Sequence, residues 1–266
     1  MIESPDLAHA VSALPVDLPS GRLVAGDEGE GHQALMWVSD DLAPPVLWGR
    51  LHRLHPQSGL WPLLLSPLDD GPEVRPWLSG ELFPDEASEL AEHDPAALLS
   101  GWWAECAADE DEAGGSDILA PYGSAWPGLA PATVLAGGAA DTEARDLAEV
   151  LQIGRNVRLG LVRAGSGAEA LAACGWSGPV NHENDSAKIA AVLADWERRF
   201  GAQVVEAGFS TLELSVPVPP ATLDEALPIA AEHMALCPDQ VLQGAETLTA
   251  YAEQLIAARR WSFWWD

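Results

Sequence analysis

The sequence has few cysteines, one lysine (Lys188) and no long apolar segment. Its three cysteines are an odd number and form no CxxC motif, so neither a disulfide framework nor a zinc finger is predicted. No apolar run approaches the roughly 20 residues of a membrane span, and the first residues lack the basic and apolar segments of a signal peptide. The sequence therefore predicts a cytoplasmic protein with reduced thiols that does not enter a membrane.

The motifs of familiar enzyme classes are missing as well. There is no GxSxG, no HExxH, and no GxGxxG or Walker lysine beside Gly165-Ser166-Gly167, which we interpret as a plain strand-to-helix turn. The acidic pairs Asp40-Asp41 and Asp69-Asp70 lack the spacing of a calcium loop and are typical of solvated turns. No metal and no cofactor is therefore predicted.

Basic residues are scarce throughout the chain. The 266 residues include 13 Lys and Arg against 41 Asp and Glu, a formal net charge of −28. Residues 1–150 carry most of this charge, with 27 acidic and 5 basic side chains. Such a charge repels phosphate, which argues against binding of nucleic acid or of anionic lipid, and it attracts basic protein surfaces.

Local patterns divide the chain into three parts. Residues 1–108 are predicted to form a smaller, acidic, strand-rich lobe: an irregular lead-in over 1–34, strands at 35–38, 45–48 and 60–65, and a helix over 95–108 capped by Asp94. Residues 109–141 are rich in Gly, Pro and acidic residues and indicate a linker, part of which Tyr122 and Trp126 pin down.

Residues 142–266 are predicted to form the larger lobe. Helices are expected at 142–152, 167–174, 186–199, 223–236 and 246–258, and strands at 157–163, 204–205, 211–216 and 261–266. The predicted fold class is α+β, with a mixed, partly antiparallel sheet that helices cover in this C-terminal lobe.

Several short motifs in the C-terminal lobe resemble a known bacterial family. They are Gly175-Trp176 with Asn181, Trp196-Glu197 with 199–202, 231–233, 237–239, Gln243-Gly244, Tyr251-Ala252, and the terminal Trp261-x-Phe263-Trp264-Trp265-Asp266. The family is a domain of unknown function, number 4253. The resemblance implies a shared fold and brings no activity or catalytic residue with it.

His233 and Cys237 stand four residues apart on a predicted helix, so their side chains can meet. One interpretation is a thiolate–imidazole pair or half of a metal site; the favoured one is that Cys237 packs as a small apolar residue.

His52 and His55 point to opposite faces if their segment is a strand, which disfavours joint ligation of a metal ion. The alternative hypothesis is a ligand cleft, and its predicted lining is Trp176, Asn181, His233, Asp239 and Gln243.

The loop 181–185 is the densest polar cluster outside the linker. It is interpreted either as a capped loop before a helix or as the polar rim, through Asn181 and His182, of that cleft.

Twelve tryptophans are a surplus for a chain with two tyrosines. Trp264 and Trp265 are adjacent in a predicted strand, so one enters the core and the other faces outward. Trp102 and Trp103 diverge in the same way on their helix. An outward Trp beside acidic residues is suited to a cationic partner, which makes Trp264, Trp265 and Asp266 predicted partner contacts.

These observations favour a non-enzymatic acidic interaction protein that binds a basic protein partner, with an immunity-like, toxin-neutralising role as one concrete form. The alternative is an enzyme with a small-molecule cleft in the C-terminal lobe near His233.

Overall fold

A computed structural model of the chain describes residues 6–26, 34–68, 74–84, 89–113 and 117–266. The acidic pair Asp69-Asp70 lies outside these residues. Among the helices of the described part, none has the length and the apolar character that crossing a bilayer requires.

One open, mixed sheet of seven strands forms the centre of the described structure. The strands are β1 (Gly21–Val24), β2 (Met36–Leu42), β3 (Leu60–Leu65), β4 (Arg158–Arg163), β5 (Gln203–Ala207), β6 (Thr211–Ser215) and β7 (Arg260–Trp264). Their order across the sheet is β1-β2-β4-β3-β5-β6-β7. Strands β3 and β5 pair in parallel, and the other neighbours pair antiparallel. The predicted α+β fold with a mixed, partly antiparallel sheet is confirmed.

Strands from both sides of the predicted linker share this sheet. Strand β4 pairs with β2 on one side and with β3 on the other, and Leu60 lies opposite Arg163 at one end of the second pairing. The sheet core is therefore continuous from residues 1–108 to residues 142–266.

Helices cover both faces of the sheet. They are α1 (Leu7–Ser12), α2 (Leu47–Ser58), α3 (Pro95–Ala113), α4 (Ala139–Gly154), α5 (Gly167–Cys174), α6 (Ser186–Phe200), α7 (Leu223–Leu236) and α8 (Leu248–Leu255). Helices α1, α2 and α4 pack on one face around Trp48 and Leu161, and the other helices pack on the opposite face around Trp196 and Phe263. A short 3-10 turn (Leu90–Glu92) precedes α3, and a π-helical turn (Gln240–Ala245) follows α7.

The N-terminal part differs from its prediction in two places. The run 45–48, expected to be a strand, leads instead into α2, because Val46 adopts a left-handed backbone with φ 59° and starts the helix at Leu47. The lead-in over 1–34, expected to be irregular, contains α1 and β1. By contrast, the strand over 60–65 and the cap at Asp94, whose Oδ1 accepts from Ala96 N at 3.0 Å, are as predicted.

The C-terminal elements follow their predicted patterns closely. Helices α5 and α7 have the predicted bounds, and Gly201 ends α6 with φ 67°, which glycine adopts without strain. Ser166 is the N-cap of α5: its Oγ accepts from Glu169 N, and a Glu169 oxygen accepts from Gly165 N. The interpretation of Gly165-Ser166-Gly167 as a strand-to-helix turn is therefore confirmed. Helix α4 begins earlier than predicted, after Gly138.

The predicted linker begins later than expected, because α3 continues to Ala113. Beyond it, Tyr122 and Trp126 both contact the ring of Trp103, with centroid distances of 6.4 and 5.7 Å. These two aromatic side chains therefore hold the segment to the core, as predicted.

Candidate functional site

An acidic groove lies between α3 and the loop that precedes α6. Its volume is about 550 Å³, and its lining residues are Glu92, His93, Asp94, Ala97, Leu98, Gly101, Trp102, Glu105, His182, Glu183 and Lys188. We call this set the acidic groove. Residues from the two predicted lobes meet in it.

Helix α3 supplies one wall through its periodicity. Leu98, Trp102 and Glu105 follow one another at spacings of four and three residues, which places them on one helix face. Asp94 caps the start of the helix, so its carboxylate lies at the same end of the groove as Glu92. The groove wall is thus apolar in its middle and acidic at both ends.

Hydrogen bonds fix the opposite wall. Asp185 caps α6 by accepting from Ala187 N at 3.0 Å, and its own N–H donates to Glu183 Oε1 at 3.0 Å. The other oxygen of Glu183 accepts from Lys188 Nζ at 2.9 Å. The interpretation of 181–185 as a capped loop before a helix is confirmed, and the same loop places Glu183 and His182 in the groove.

The charge of the groove is negative. Its described lining holds four carboxylates against one lysine, and that lysine is already paired with Glu183. Burial lowers the pKa of His182, so this imidazole is neutral near pH 7. Its ring lies 5.5 Å from that of Trp102, and its buried Nε2 has no hydrogen-bond partner within the described structure.

This arrangement suits a cationic side chain. Glu92, Asp94 and Glu105 are exposed, so they can attract a cation without first being released from the core. The largely buried indole of Trp102 lies among them, and an aromatic face binds guanidinium groups by cation–π attraction. A long side chain that is apolar along its stem and positive at its tip would match both parts of the groove.

Three of the predicted ligand residues come together at a different place. Gln243 Nε2 donates to Asp239 Oδ1 at 2.7 Å, Asp239 Oδ2 accepts from Asp266 N at 3.0 Å, and Asn181 Nδ2 donates to Asp266 O at 3.0 Å. Asn181, Asp239 and Gln243 therefore form a chain of hydrogen bonds around Asp266. This gives them a structural task, which is to fix the tail against the loops on either side.

The other two predicted ligand residues are buried. Trp176 donates from Nε1 to Gly208 O at 2.8 Å and contacts the ring of Trp265. His233 has no exposed surface, and its Nδ1 lies 3.0 Å from the hydroxyl of Tyr251. A small molecule would reach His233 only if the surrounding aromatic side chains moved.

Burial makes His233 a weak base and keeps Cys237 a protonated thiol. Burial lowers the pKa of His233 to about 3 and raises that of the Cys237 thiol to about 12. The thiol donates to Trp264 O at 3.0 Å. These environments favour the interpretation of Cys237 as a packed core residue over a thiolate–imidazole pair.

The tail residues alternate as predicted. Trp261, Phe263 and Trp265 are buried, whereas Trp264 on the other side is half-buried and Asp266 is exposed. Of the three predicted partner contacts, Trp264 and Asp266 therefore have exposed surface that a partner can touch, and Trp265 is buried. Trp102 and Trp103 are both buried, but Trp102 keeps 6% of its surface exposed and lines the acidic groove, whereas Trp103 has no exposed surface.

The first histidine pair lies on a helix rather than on a strand. His52 and His55 are on α2, and both contact the ring of Trp61, at centroid distances of 5.1 and 4.9 Å. His55 Nε2 lies 2.8 Å from Ala164 O, and burial lowers the pKa of His52 to about 4. The condition under which they would face opposite sides, a strand, is not met, and a spacing of three residues returns to one side of a helix.

Sequence reasoning singled out Trp102 and the loop at 181–185 separately but missed that they meet. It also missed Glu92 and Glu105. The periodicity of α3 was the available signal, since it places Glu105 on the same face as Trp102. The partner across the groove depends on tertiary packing.

Within the described part of the chain, no group of three or more His, Cys, Asp or Glu side chains is arranged to hold a metal ion. Neither a curated protein nor a solved structure matches the chain significantly. One family model does match, and its segment begins at β4 and contains the four strands β4 to β7 with helices α5 to α8. Residues 158–266 thus match the model of the family described as Domain of unknown function (DUF4253), the family that the motifs of the C-terminal lobe resemble.

Proposed function

We propose that this protein is a non-enzymatic interaction protein that binds a basic protein partner through the acidic groove. The observation that supports the proposal most is the position of Trp102 among the carboxylates of Glu92, Asp94 and Glu105. A toxin-neutralising, immunity-like role is one form of this function.

Two properties of the guanidinium group favour an arginine over a lysine as the partner's side chain in the groove. The planar guanidinium stacks on an aromatic face more readily than an ammonium does, and it presents several N–H donors to carboxylates at once. Lys188 illustrates the alternative, since its ammonium makes a single contact with Glu183. The proposed anchor is therefore an arginine whose guanidinium lies over Trp102.

The net charge contributes a second, longer-ranged effect. A charge of −28 accelerates encounter with any basic protein, whether or not it fits the groove. Binding to a polycation alone is therefore no support for the proposal. The test has to separate the groove from the overall field.

The experiment uses a fluorescein-labelled hexa-arginine peptide and fluorescence anisotropy. Glu92→Gln with Glu105→Gln removes two charges from the groove. Asp146→Asn with Glu149→Gln, the matched control, removes two exposed charges from α4 on the opposite face of the sheet. We expect the two groove substitutions to weaken peptide binding about tenfold and the two control substitutions about twofold. Charges that touch the peptide attract it more strongly than distant charges, whose effect salt screens.

Hexa-lysine gives the comparison for the anchor. It should bind several-fold more weakly than hexa-arginine, and Trp102→Leu should abolish that difference. Equal losses for the two charge pairs at 0.1 M salt would assign the binding to the overall field and would overturn the role of the groove.

A further inference from the structure

A second groove, between α1 and α2 on the opposite face of the sheet, has a different character. Its volume is about 350 Å³, near the lower end of the range of roughly 300–1,000 Å³ for small-molecule pockets. Its lining residues are His9, Ala10, Ala13, Leu14, Pro15, Leu54, Gln57, Ser58 and Arg163. None of its described lining residues is a carboxylate, although acidic residues outnumber basic ones about threefold in the chain.

Arg163 is the cation of this second groove. It stands at the end of β4, and in the part of the chain that the structure describes no carboxylate lies within 4.0 Å of it, whereas eight other basic side chains have an ion-pair partner there. Its Nη2 is buried and has no hydrogen-bond partner within the same residues. A buried donor without an acceptor costs roughly 1–3 kcal/mol, so this guanidinium is incompletely paired within the fold.

The neighbours of Arg163 define what would bind. Ser58 Oγ accepts from Leu60 N at 3.2 Å, which leaves its hydroxyl hydrogen free to donate, and the amide of Gln57 lies in the same lining. The rest of the wall is apolar, through the alanines of α1 and through Leu14, Pro15 and Leu54. The donors are thus concentrated around one positive charge, beside an apolar wall.

We propose that this second groove binds a small organic carboxylate, with the carboxylate on Arg163 and an apolar body against Leu14 and Leu54. A single guanidinium matches a single negative charge and binds a carboxylate through two parallel N–H donors. A phosphate dianion would bring a second charge, and the described lining holds no second arginine or lysine to match it. The site does not depend on the acidic groove, since the two lie on opposite faces of the sheet.

Calorimetric titration of the full chain with benzoate tests the proposal. Benzoate should saturate one site, and benzamide, which has the same shape without the charge, should bind at least tenfold more weakly. Arg163→Gln should weaken benzoate binding at least tenfold. The control Arg53→Gln removes an exposed charge from α2 outside the lining and should change binding less than twofold.

A second variant keeps the test decisive if Arg163→Gln does not fold. Ala13→Phe fills the second groove from the exposed end of α1 and leaves Arg163 in place, so it should also abolish benzoate binding. Three results would overturn the proposal: equal affinity for benzoate and benzamide, benzoate binding that survives both variants, or tighter binding of inorganic phosphate than of benzoate.

Discussion

The buried carboxylate of Glu232 is predicted to be the most costly single charge to remove. It has no exposed surface; Oε1 accepts from Ala130 N at 2.6 Å and from Arg199 Nη1 at 3.0 Å, and Oε2 accepts from Trp196 Nε1 at 2.7 Å. Both oxygens therefore face N–H donors. In Glu232→Gln, one of them becomes an amide nitrogen that points its hydrogens at those donors.

The magnitude follows from burial. Breaking a buried ion pair by removing one partner costs about 3–5 kcal/mol; Arg199 stays buried but keeps its pair with Asp195, so the lower end of this range is expected. The matched control is Glu143→Gln, which breaks the surface pair with Arg259, whose side chain is 61% exposed, and should cost at most about 1 kcal/mol. The two variants remove the same charge, so their difference measures the environment.

Urea unfolding followed by tryptophan fluorescence gives the free energy of unfolding of each variant. Hydrogen exchange gives a local measure: the Ala130 amide should lose protection in Glu232→Gln, because its acceptor is gone, and it should keep protection in Glu143→Gln. A loss below 1 kcal/mol for Glu232→Gln, or an unchanged Ala130 amide, would refute the inference that Glu232 holds Ala130 against α6 and α7.

Three further predictions concern groups whose pKa the fold shifts. Burial raises the pKa of Glu197 to about 7, so the folded state binds more protons than the unfolded state between about pH 4.5 and 7 and loses stability as pH rises through that window; Glu197→Gln should flatten this part of a plot of urea midpoint against pH. His233→Phe should destabilise the protein by about 1–3 kcal/mol because it leaves the Tyr251 hydroxyl unpaired, and adding Tyr251→Phe should recover part of this loss in thermal unfolding, with full additivity as the contrary result. The three cysteines are buried and their thiol pKa values are raised to about 12, so none should react with Ellman's reagent at pH 8 in the native protein and all should react in urea; a fast-reacting native thiol would contradict their packing.

Local sequence patterns predicted most of the helices and strands, because hydrophobic periodicity depends only on residues that are close together in the sequence. The stripe of Ile189, Val192 and Trp196 identified α6, and the alternation through Leu212 and Leu214 identified β6. The run at 45–48 failed because a short apolar segment is equally compatible with a strand and with the start of a helix, and the turn at Val46 decides between them.

Long-range pairing could not be predicted in the same way. Nothing in residues 60–65 indicates that they pair with 158–163 on one side and 203–207 on the other. The candidate sites share this difficulty. Trp102 contacts His182, which is 80 residues away in the sequence, and Arg163 lines the same groove as His9, which is more than 150 residues away. The sequence shows the residue types at these sites, but it does not show which residues become neighbours in the fold.

The position of β3 has a consequence for anyone who clones the family segment alone. A fragment cut out at residue 158 keeps β4 and β5 but loses the strand that lies between them, which exposes two rows of unpaired backbone N–H and C=O groups and the apolar side chains beneath. Such edges recruit strands from other copies, so the excised segment should self-associate. A peptide bearing residues 60–65 would fill the gap and reduce this association, although the edge of β4 that pairs with β2 would stay open.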